Sequence, residues 1–218
     1  MEKIDILSLS PETLGQYLAE MGEPKFRAKQ LFSWLHQKQV TDFAQMTTLS
    51  LQLRQKLNEK FCINRLNIAR KLASSADDTV KYLYELPDGN FVETVLMDYH
   101  HGKSLCISTQ VGCRMGCQFC ASTIAGYVRD LQPSELLLQI YETQRDAGCR
   151  IDSIVLMGIG EPLDNFDNVV QFFRLLSHPD GMNMSLRHAA LSTCGLVPQI
   201  RQLADLRLGV TLSVSLHS

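Results

Sequence analysis

The sequence lacks any apolar run of the roughly 20 residues that a membrane-spanning helix needs. Its first ten residues, MEKIDILSLS, do not contain the apolar core of a secretion signal. Internal repeats and low-complexity segments are also absent. With 45% hydrophobic and 20% charged residues in 218, the composition is that of a protein with one large or two modest domains. We therefore expect a cytoplasmic protein with no membrane partner.

The seven cysteines do not fit a disulfide framework, because their number is odd and no secretion signal is present. Three of them, Cys113, Cys117 and Cys120, fall within eight residues. A second CxxC pair, which a zinc site often uses, is missing. This clustering indicates metal binding by a single loop.

Charge is unevenly distributed along the chain. Residues 1–75 contain 11 Lys and Arg against 7 Asp and Glu, whereas residues 76–218 contain 10 against 16. A basic N-terminal part on an acidic body is typical of a nucleic-acid-binding appendage, and we expect RNA contact through Lys25, Arg27 and Lys29. The alternative is random variation of a solvated surface, which the small excess also allows.

The N-terminal 61 residues predict a small helical domain. Ser10 and Pro11 are typical of an N-cap and a first helical position, and Gly22 ends that helix. Further helices are predicted over 26–36 and 49–61. Residues 62–102 then change to β-branched and aromatic runs with turn signals between them, so that we expect a short antiparallel β linker.

From residue 103 the pattern alternates between strand and helix. Strands are predicted over 104–109, 152–157, 188–192 and 209–215, and helices over 133–147, 165–176 and 197–204. Alternation of this kind predicts right-handed βαβ units and a parallel sheet. The fold class is therefore α/β, with a core domain over 103–218. Because the last predicted strand has no covering helix, we expect this parallel sheet to be incomplete.

The chemistry is expected at Cys113-x3-Cys117-x2-Cys120, directly after the first core strand. Three thiolates on one short loop can hold three irons of a 4Fe–4S cluster, which leaves the fourth iron open to a small molecule. The alternative is a zinc loop, or buried cysteines without a ligand. A second signal is MGIGEP, from Met157 to Pro162, after the next strand, where glycines allow close approach to a ligand.

These two motifs together resemble the radical S-adenosylmethionine (SAM) superfamily. The flanking strings FVETV, LCISTQVGCRMGCQFCAST, MGIGEPLDNFDNV, LSTCGLVP and SVSLH are similar to the RlmN/Cfr group of RNA methyltransferases, and more to the RlmN type because of Pro162. The resemblance implies a six-stranded barrel, of which this chain would form a partial barrel of about four strands. It also implies a 4Fe–4S cluster and SAM as cofactors, and methylation of adenine C2 in 23S ribosomal RNA and tRNA. It also implies a monomer that receives electrons from a reductant protein such as flavodoxin.

In that family SAM binds the open iron and is cleaved to a 5′-deoxyadenosyl radical. A cysteine near the C-terminus carries a methyl group from a first SAM, the radical activates this methyl group, and a second cysteine releases the RNA by forming a disulfide. By position, Cys106 matches the releasing cysteine and Glu93 the base that takes the C2 proton. Read without the resemblance, Cys106 is a buried apolar residue and Glu93 an exposed strand carboxylate.

The resemblance also implies SAM contacts at positions in three later loops, namely Gly160, Glu161, Ser192, Ser215, Leu216 and His217. Cys62, Cys149 and Cys194 match no catalytic position, and we expect them to pack in the interior. The family's methyl-accepting cysteine has no counterpart here, because the chain ends at Ser218. We therefore expect a truncated protein that binds a cluster weakly and does not methylate RNA.

Two alternatives remain at this point. One is a radical SAM enzyme that uses SAM only as an oxidant, which would not need Cys106. The other is a non-catalytic metal-binding or RNA-binding module.

Overall fold

The computed structural model describes residues 3–100 and 102–216. The helices are α1 (Pro11–Glu20), α2 (Phe26–His36), α3 (Leu51–Lys60), α4 (Pro133–Ala147), α5 (Phe166–Ser177) and α6 (Val197–Leu206). The strands are β1 (Ile4–Asp5), β2 (Phe61–Cys62), β3 (Asn67–Ala73), β4 (Val80–Glu85), β5 (Phe91–Tyr99), β6 (Gly102–Cys106), β7 (Gln110–Gly112), β8 (Tyr127–Asp130), β9 (Ser153–Leu156), β10 (Ala189–Thr193) and β11 (Thr211–Val214).

The helix ends follow the capping residues in the sequence. The Ser10 hydroxyl accepts a hydrogen bond from the Thr13 amide, and Pro11 occupies the first turn of α1, as predicted. Helices α2 and α4 have the predicted bounds. The third helix begins two residues later than predicted, because Ser50 takes the N-cap position and accepts a hydrogen bond from the Leu53 amide.

A seven-stranded sheet organises the rest of the chain, in the order β11-β10-β9-β6-β5-β4-β3. Strands β6, β9, β10 and β11 are parallel, which confirms the predicted α/β partial barrel of four strands. Strands β3, β4 and β5 continue the same sheet with antiparallel pairing. The segment predicted as a linker is thus part of the core sheet.

Helices α4 and α5 cover one face of this sheet. The side of β5 that carries Val92, Thr94 and Leu96 is buried, and the Thr94 hydroxyl donates to Gln139 of α4 at 2.8 Å. The alternating residues, among them Glu93 and Val95, lie on the opposite face and are partly exposed. The uncovered face is therefore available for ligands.

The helical N-terminal region packs against the outer side of α4 and α5. Strands β1 and β2 pair in parallel, which ties residues 4–5 to residues 61–62. The Ser134 amide donates to the Ser8 hydroxyl at 3.1 Å, and buried His36 lies 2.9 Å from the Tyr141 hydroxyl. These contacts attach the small helical region firmly to the core. In the described part of the chain, no helix is long and apolar enough to cross a membrane.

Candidate functional site

The three clustered cysteines lie on a loop whose two ends are joined by the short strands β7 and β8. Their antiparallel pairing was not predicted, because strands of three and four residues are too short for a periodic signal. At the crossing point Gly112 has φ of 73°, and a Cβ there would lie 1.7 Å from the Gly126 carbonyl oxygen. Only glycine fits at this position. The hairpin therefore closes residues 113–126 into a compact loop.

The thiols of this loop are neighbours in the fold. Burial raises the pKa of Cys113 above its ordinary value, and the charges of Cys120, Cys117 and Glu161 add to the effect. The Cys120 amide donates to the Cys117 carbonyl at 3.0 Å and shapes the turn between them. Across residues 3–100 and 102–216, no three Cys, His, Asp or Glu side chains converge closely enough to hold a single metal ion. The ligand roles of the three cysteines stay a prediction.

The glycine-rich loop after β9 packs directly against the segment that leads into the cysteine loop. The Gly158 amide donates to the Ile107 carbonyl, and the Ile159 carbonyl accepts from Thr109 at 2.8 Å. A Cβ on Gly160, which has φ of 106°, would lie 2.6 Å from Cβ of Gln110. The close approach of the two loops is a structural reason for glycine at position 160, where the sequence predicted contact with a ligand.

Glu161 connects the glycine-rich loop after β9 to the loop after β10. Its side chain is 4% exposed, and its two oxygens accept hydrogen bonds from the amides of Leu163 at 3.0 Å and Cys194 at 2.8 Å. The carboxylate is thus engaged with the protein backbone. The loops after β6, β9 and β10 are thereby brought together at the carboxyl edge of the parallel strands, where ligands bind in barrel folds.

Cys106 and Glu93 lie on the uncovered face of the sheet. Cys106 pairs with Val95 on β5 and with Val155 on β9, and Glu93 is two residues from Val95 on the same side. Burial raises the pKa of the Cys106 thiol. The Glu93 carboxylate is 41% exposed and lies 2.6 Å from the ammonium group of Lys81.

The expected SAM-contacting positions at the other end of the sheet are partly assembled. By the register of β9 and β10, Ser192 shares the uncovered face with Cys106. The hydroxyls of Ser192 and Ser215 are 3.2 Å apart, and Leu216 is 89% exposed. His217 lies outside the described residues.

Two residues of this region were missed or misread in the sequence. Gln110 is buried and uses its whole amide: its oxygen accepts from the Glu161 amide, and its nitrogen donates to Asp130 and Asp164, each at 2.8 Å. Cys194, expected in the interior, is exposed. Partial burial of its thiol, the Glu161 carboxylate and the charge of Cys117 raise the pKa of Cys194 to about 11. Their positions after strands β6 and β10 were the available signal.

All seven cysteines are free thiols. The resemblance implies a disulfide that Cys106 would form with a cysteine that this chain does not contain. A thiol donor set suits iron–sulfur clusters, whose ligands are thiolates. The cysteine loop therefore fits the expected cofactor in its donor chemistry.

Comparison with known families agrees with this geometry. Residues 107–218 match the model of the radical SAM superfamily, and this segment contains the cysteine loop and three of the four parallel strands, β9, β10 and β11. The chain belongs to the radical SAM superfamily. Residues 4–63 match a second model, the ribosomal RNA large subunit methyltransferase N-terminal domain. The combination of the two makes this radical SAM protein RlmN-like, as the sequence motifs predicted.

Curated relatives and a solved structure extend the likeness over the whole chain. The chain is 52% identical over 217 residues to a probable dual-specificity RNA methyltransferase RlmN of Lachnoclostridium phytofermentans and 53% identical over 214 residues to one of Lachnospira eligens. These matches cover 100% and 98% of this chain but 61% of each relative. A crystal structure of a radical SAM methyltransferase from Sphaerobacter thermophilus is 36% identical, with a TM-score of 0.91 over 99% of this chain and 64% of that one.

Proposed function

We propose that this chain forms the cluster-binding and SAM-binding part of an enzyme that methylates adenine C2 in 23S ribosomal RNA and in tRNA. The observation that carries the proposal is the position of Cys106 and Glu93 on the uncovered sheet face, beside the edge where three βα loops meet. The names of the relatives support the dual RNA specificity. Such RNA substrates are consistent with a cytoplasmic protein.

Cys113, Cys117 and Cys120 would hold three irons of a 4Fe–4S cluster, and SAM would bind the fourth. Together these cofactors supply a 5′-deoxyadenosyl radical when they are bound. The thiols must lose their protons to become ligands. We expect a monomer that receives electrons from a reductant protein such as flavodoxin.

The SAM-binding residues would act from the carboxyl ends of β9, β10 and β11. Because both carboxylate oxygens of Glu161 accept backbone hydrogen bonds, a contact from this residue to SAM would come from its main chain. Gly160 keeps that main chain close to Gln110. Ser192 and Ser215 offer hydroxyls on the same edge, and Leu216 and His217 follow them in sequence.

On the uncovered face, Glu93 would take the proton from adenine C2, and Cys106 would release the methylated RNA. The raised pKa of Cys106 keeps it protonated near pH 7, so that it reacts as a thiolate only after a base has removed its proton. A methyl-carrying cysteine has no match among these 218 residues. We therefore expect that they do not methylate hypomethylated ribosomal RNA by themselves, and C2-methyladenine formed by this chain alone would refute that expectation.

Anaerobic reconstitution with iron and sulfide tests the cofactor assignment. We expect the chain to become brown and to cleave SAM when dithionite is added, because three thiolates and one open iron are then present. Cys120→Ala should lose both properties. Cys149→Ala is the matched control, since Cys149 lies in the loop after α4 at the opposite edge of the sheet, and it should retain both.

The same measurement distinguishes the alternatives. Zinc at the three cysteines, or no metal at all after reconstitution, would contradict the enzymatic proposal and favour a non-catalytic binding module. SAM cleavage without any dependence of RNA modification on Cys106, in a protein of the relatives' length, would favour an enzyme that uses SAM only as an oxidant.

An RNA-binding surface is proposed on the exposed side of α2. A groove of about 470 Å³ lies between Phe26, Lys29, Trp34 and Lys38, and the Lys38 ammonium group lies 3.4 Å from the centroid of the Trp34 ring. Phe26 is 58% exposed, as expected of a ring that can stack on a base. The groove thus combines aromatic faces with positive charge.

Neutralising Lys25, Arg27 and Lys29 together tests this surface. The Lys29 side chain is 72% exposed and its ammonium group lies 3.0 Å from Asp180, so that the pair is weak enough for a phosphate to displace. We expect weaker RNA binding. The slope of the logarithm of the binding constant against the logarithm of the salt concentration should also become smaller, by the equivalent of up to about three phosphate contacts. The control replaces the exposed Arg174, Arg187 and Arg201 of the core, and should leave the salt dependence unchanged. Equal effects of the two triple variants would count against the α2 surface.

A further inference from the structure

Arg114 lies within the cysteine loop, directly after Cys113, and its side chain reaches out of that loop. Its Nε donates a hydrogen bond to Asp164 Oδ2 at 2.7 Å. The guanidinium carbon lies 3.9 Å from the centroid of the Tyr127 ring, so that the cation packs on an aromatic face. One side chain thus contacts both the loop after β9 and strand β8.

The acceptor of this hydrogen bond is itself held in place. Oδ2 of Asp164 also accepts from Nε2 of Gln110 at 2.8 Å, and the oxygen of the same Gln110 amide accepts from the Glu161 backbone at 2.8 Å. The second hydrogen of Gln110 Nε2 is donated to Asp130 on β8, at 2.8 Å. Gln110 is fully buried. Asp164 is therefore a fixed anchor whose position depends on both loops.

The environment of the pair distinguishes it from an ordinary surface salt bridge. The Arg114 side chain is 49% exposed, and an isolated pair of that kind contributes little because two mobile side chains must be ordered. Here both partners are already ordered, the carboxylate by Gln110 and the guanidinium by Tyr127. Charged hydrogen bonds between groups that are already ordered fix the relative position of the segments that carry them.

We propose that Arg114 is a positioning residue that holds the cysteine loop against the Gly160–Asp164 loop, and that its charge raises the reduction potential of a cluster bound beside it. The part of the proposal that concerns the cluster rests on the proposed function. The contact between the two loops does not depend on it. The cysteine loop and the glycine-rich loop would need a fixed spacing, because one holds iron and the other its small-molecule ligand. Arg114 and Asp164 supply a direct tie between them.

Hydrogen exchange on the metal-free chain tests the loop contact. Within the cysteine loop the amides of Cys120, Ile124 and Gly126 donate to loop carbonyls at 3.0–3.2 Å. In Arg114→Met we expect these amides to exchange about tenfold faster, since the loop opens more often without its tie. Asp164→Asn should have the same effect. Arg150→Met, a change of an exposed arginine at the opposite edge of the sheet, should have none.

Measurements on the reconstituted protein test the effect on the cluster. Loss of iron to a chelator should be about tenfold faster in Arg114→Met, as is usual when a residue that orients the ligands is removed. The midpoint potential should fall in Arg114→Met and stay near that of the wild type in Arg114→Lys, which keeps the charge but not the flat stacking group. If Arg114 had only a structural role, the midpoint potentials of Arg114→Met and Arg114→Lys would not differ in this way.

The outcomes separate the two proposals. Unchanged exchange in Arg114→Met and Asp164→Asn would overturn the positioning role, whatever metal the chain holds. A wild-type chain that takes up no iron would overturn the proposed function, while the exchange data would still decide on Arg114. Equal potentials in Arg114→Met and the wild type would remove the electrostatic part of the proposal.

Discussion

Helices α4 and α6 occupy comparable places in the βα alternation but differ completely in their surroundings. In α4 almost every residue from Pro133 to Thr143 is buried, because the helix lies between the sheet, α5 and the N-terminal helices. In α6 Leu203 is buried, whereas Val197 and Leu206 are 56% and 37% exposed. The number of neighbouring elements, and not the apolar content of the helix itself, decides how much of it is buried.

The strands beside these helices show the same contrast. Strand β5 is paired on both sides and alternates cleanly between buried and partly exposed residues. Strand β11 pairs with β10 alone in the described sheet, and Leu212 and Val214 are 37% and 45% exposed. The packed side of the molecule should therefore determine its stability, and the β11 edge should contribute little.

Matched substitutions of leucine in the two helices provide the strongest test of this contrast. Leu137→Ala in α4 removes a fully buried side chain and should lower the free energy of unfolding by about 2–5 kcal/mol. Leu206→Ala in α6 should lower it by less than about 1 kcal/mol, because that side chain is already partly hydrated. Urea denaturation monitored by circular dichroism measures both. Similar losses would show that the edge is as well packed as the α4 side.

Much of this fold could be predicted from local signals. The N-cap at Ser10, the first-turn proline at Pro133 and the βα alternation define helices and parallel strands without any tertiary information. The β7–β8 hairpin could not be predicted in this way, because its pairing depends on a contact between Gly112 and Gly126 across the whole cysteine loop. The addition of β3, β4 and β5 to the core sheet could not be predicted either, because it depends on tertiary contacts. Alternation along a strand does not identify its neighbours.

The candidate site shows a similar division. The spacing of Cys113, Cys117 and Cys120 indicated metal chemistry by itself, whereas Cys106 and Glu93 were found only through family resemblance. Apart from its position after a strand, the buried Gln110 has no signature in the sequence, since a glutamine there is ordinarily exposed. Its importance follows from three partner atoms, one on strand β8 and two in the loop after β9, that the fold brings within hydrogen-bonding distance of its amide.

A buried histidine adds a pH dependence to the packed side of the molecule. His36 at the end of α2 is fully buried against Phe32, with ring centroids 4.3 Å apart, and its Nδ1 lies 2.9 Å from the Tyr141 hydroxyl of α4. Within the described residues its Nε2 has no hydrogen-bond partner. Burial, with a smaller effect of the nearby His178 charge, lowers the pKa of His36 from 6.5 to about 3.

Acidification should therefore weaken the attachment of the N-terminal region to the core. The unfolded chain binds a proton at His36 below about pH 6.5, while the folded chain stays neutral there down to about pH 3. Stability is thus fully present above pH 6.5 and is lost as the pH falls, by about 2 kcal/mol from this group at pH 5. His36→Asn, which keeps an acceptor for Tyr141, should flatten the dependence of the free energy of unfolding on pH between 7 and 5. The control is Leu137→Ala, which is destabilised by a cavity and should keep the wild-type slope of the free energy of unfolding against pH. A flattened slope in both variants would mean that destabilisation alone, and not the histidine, is responsible.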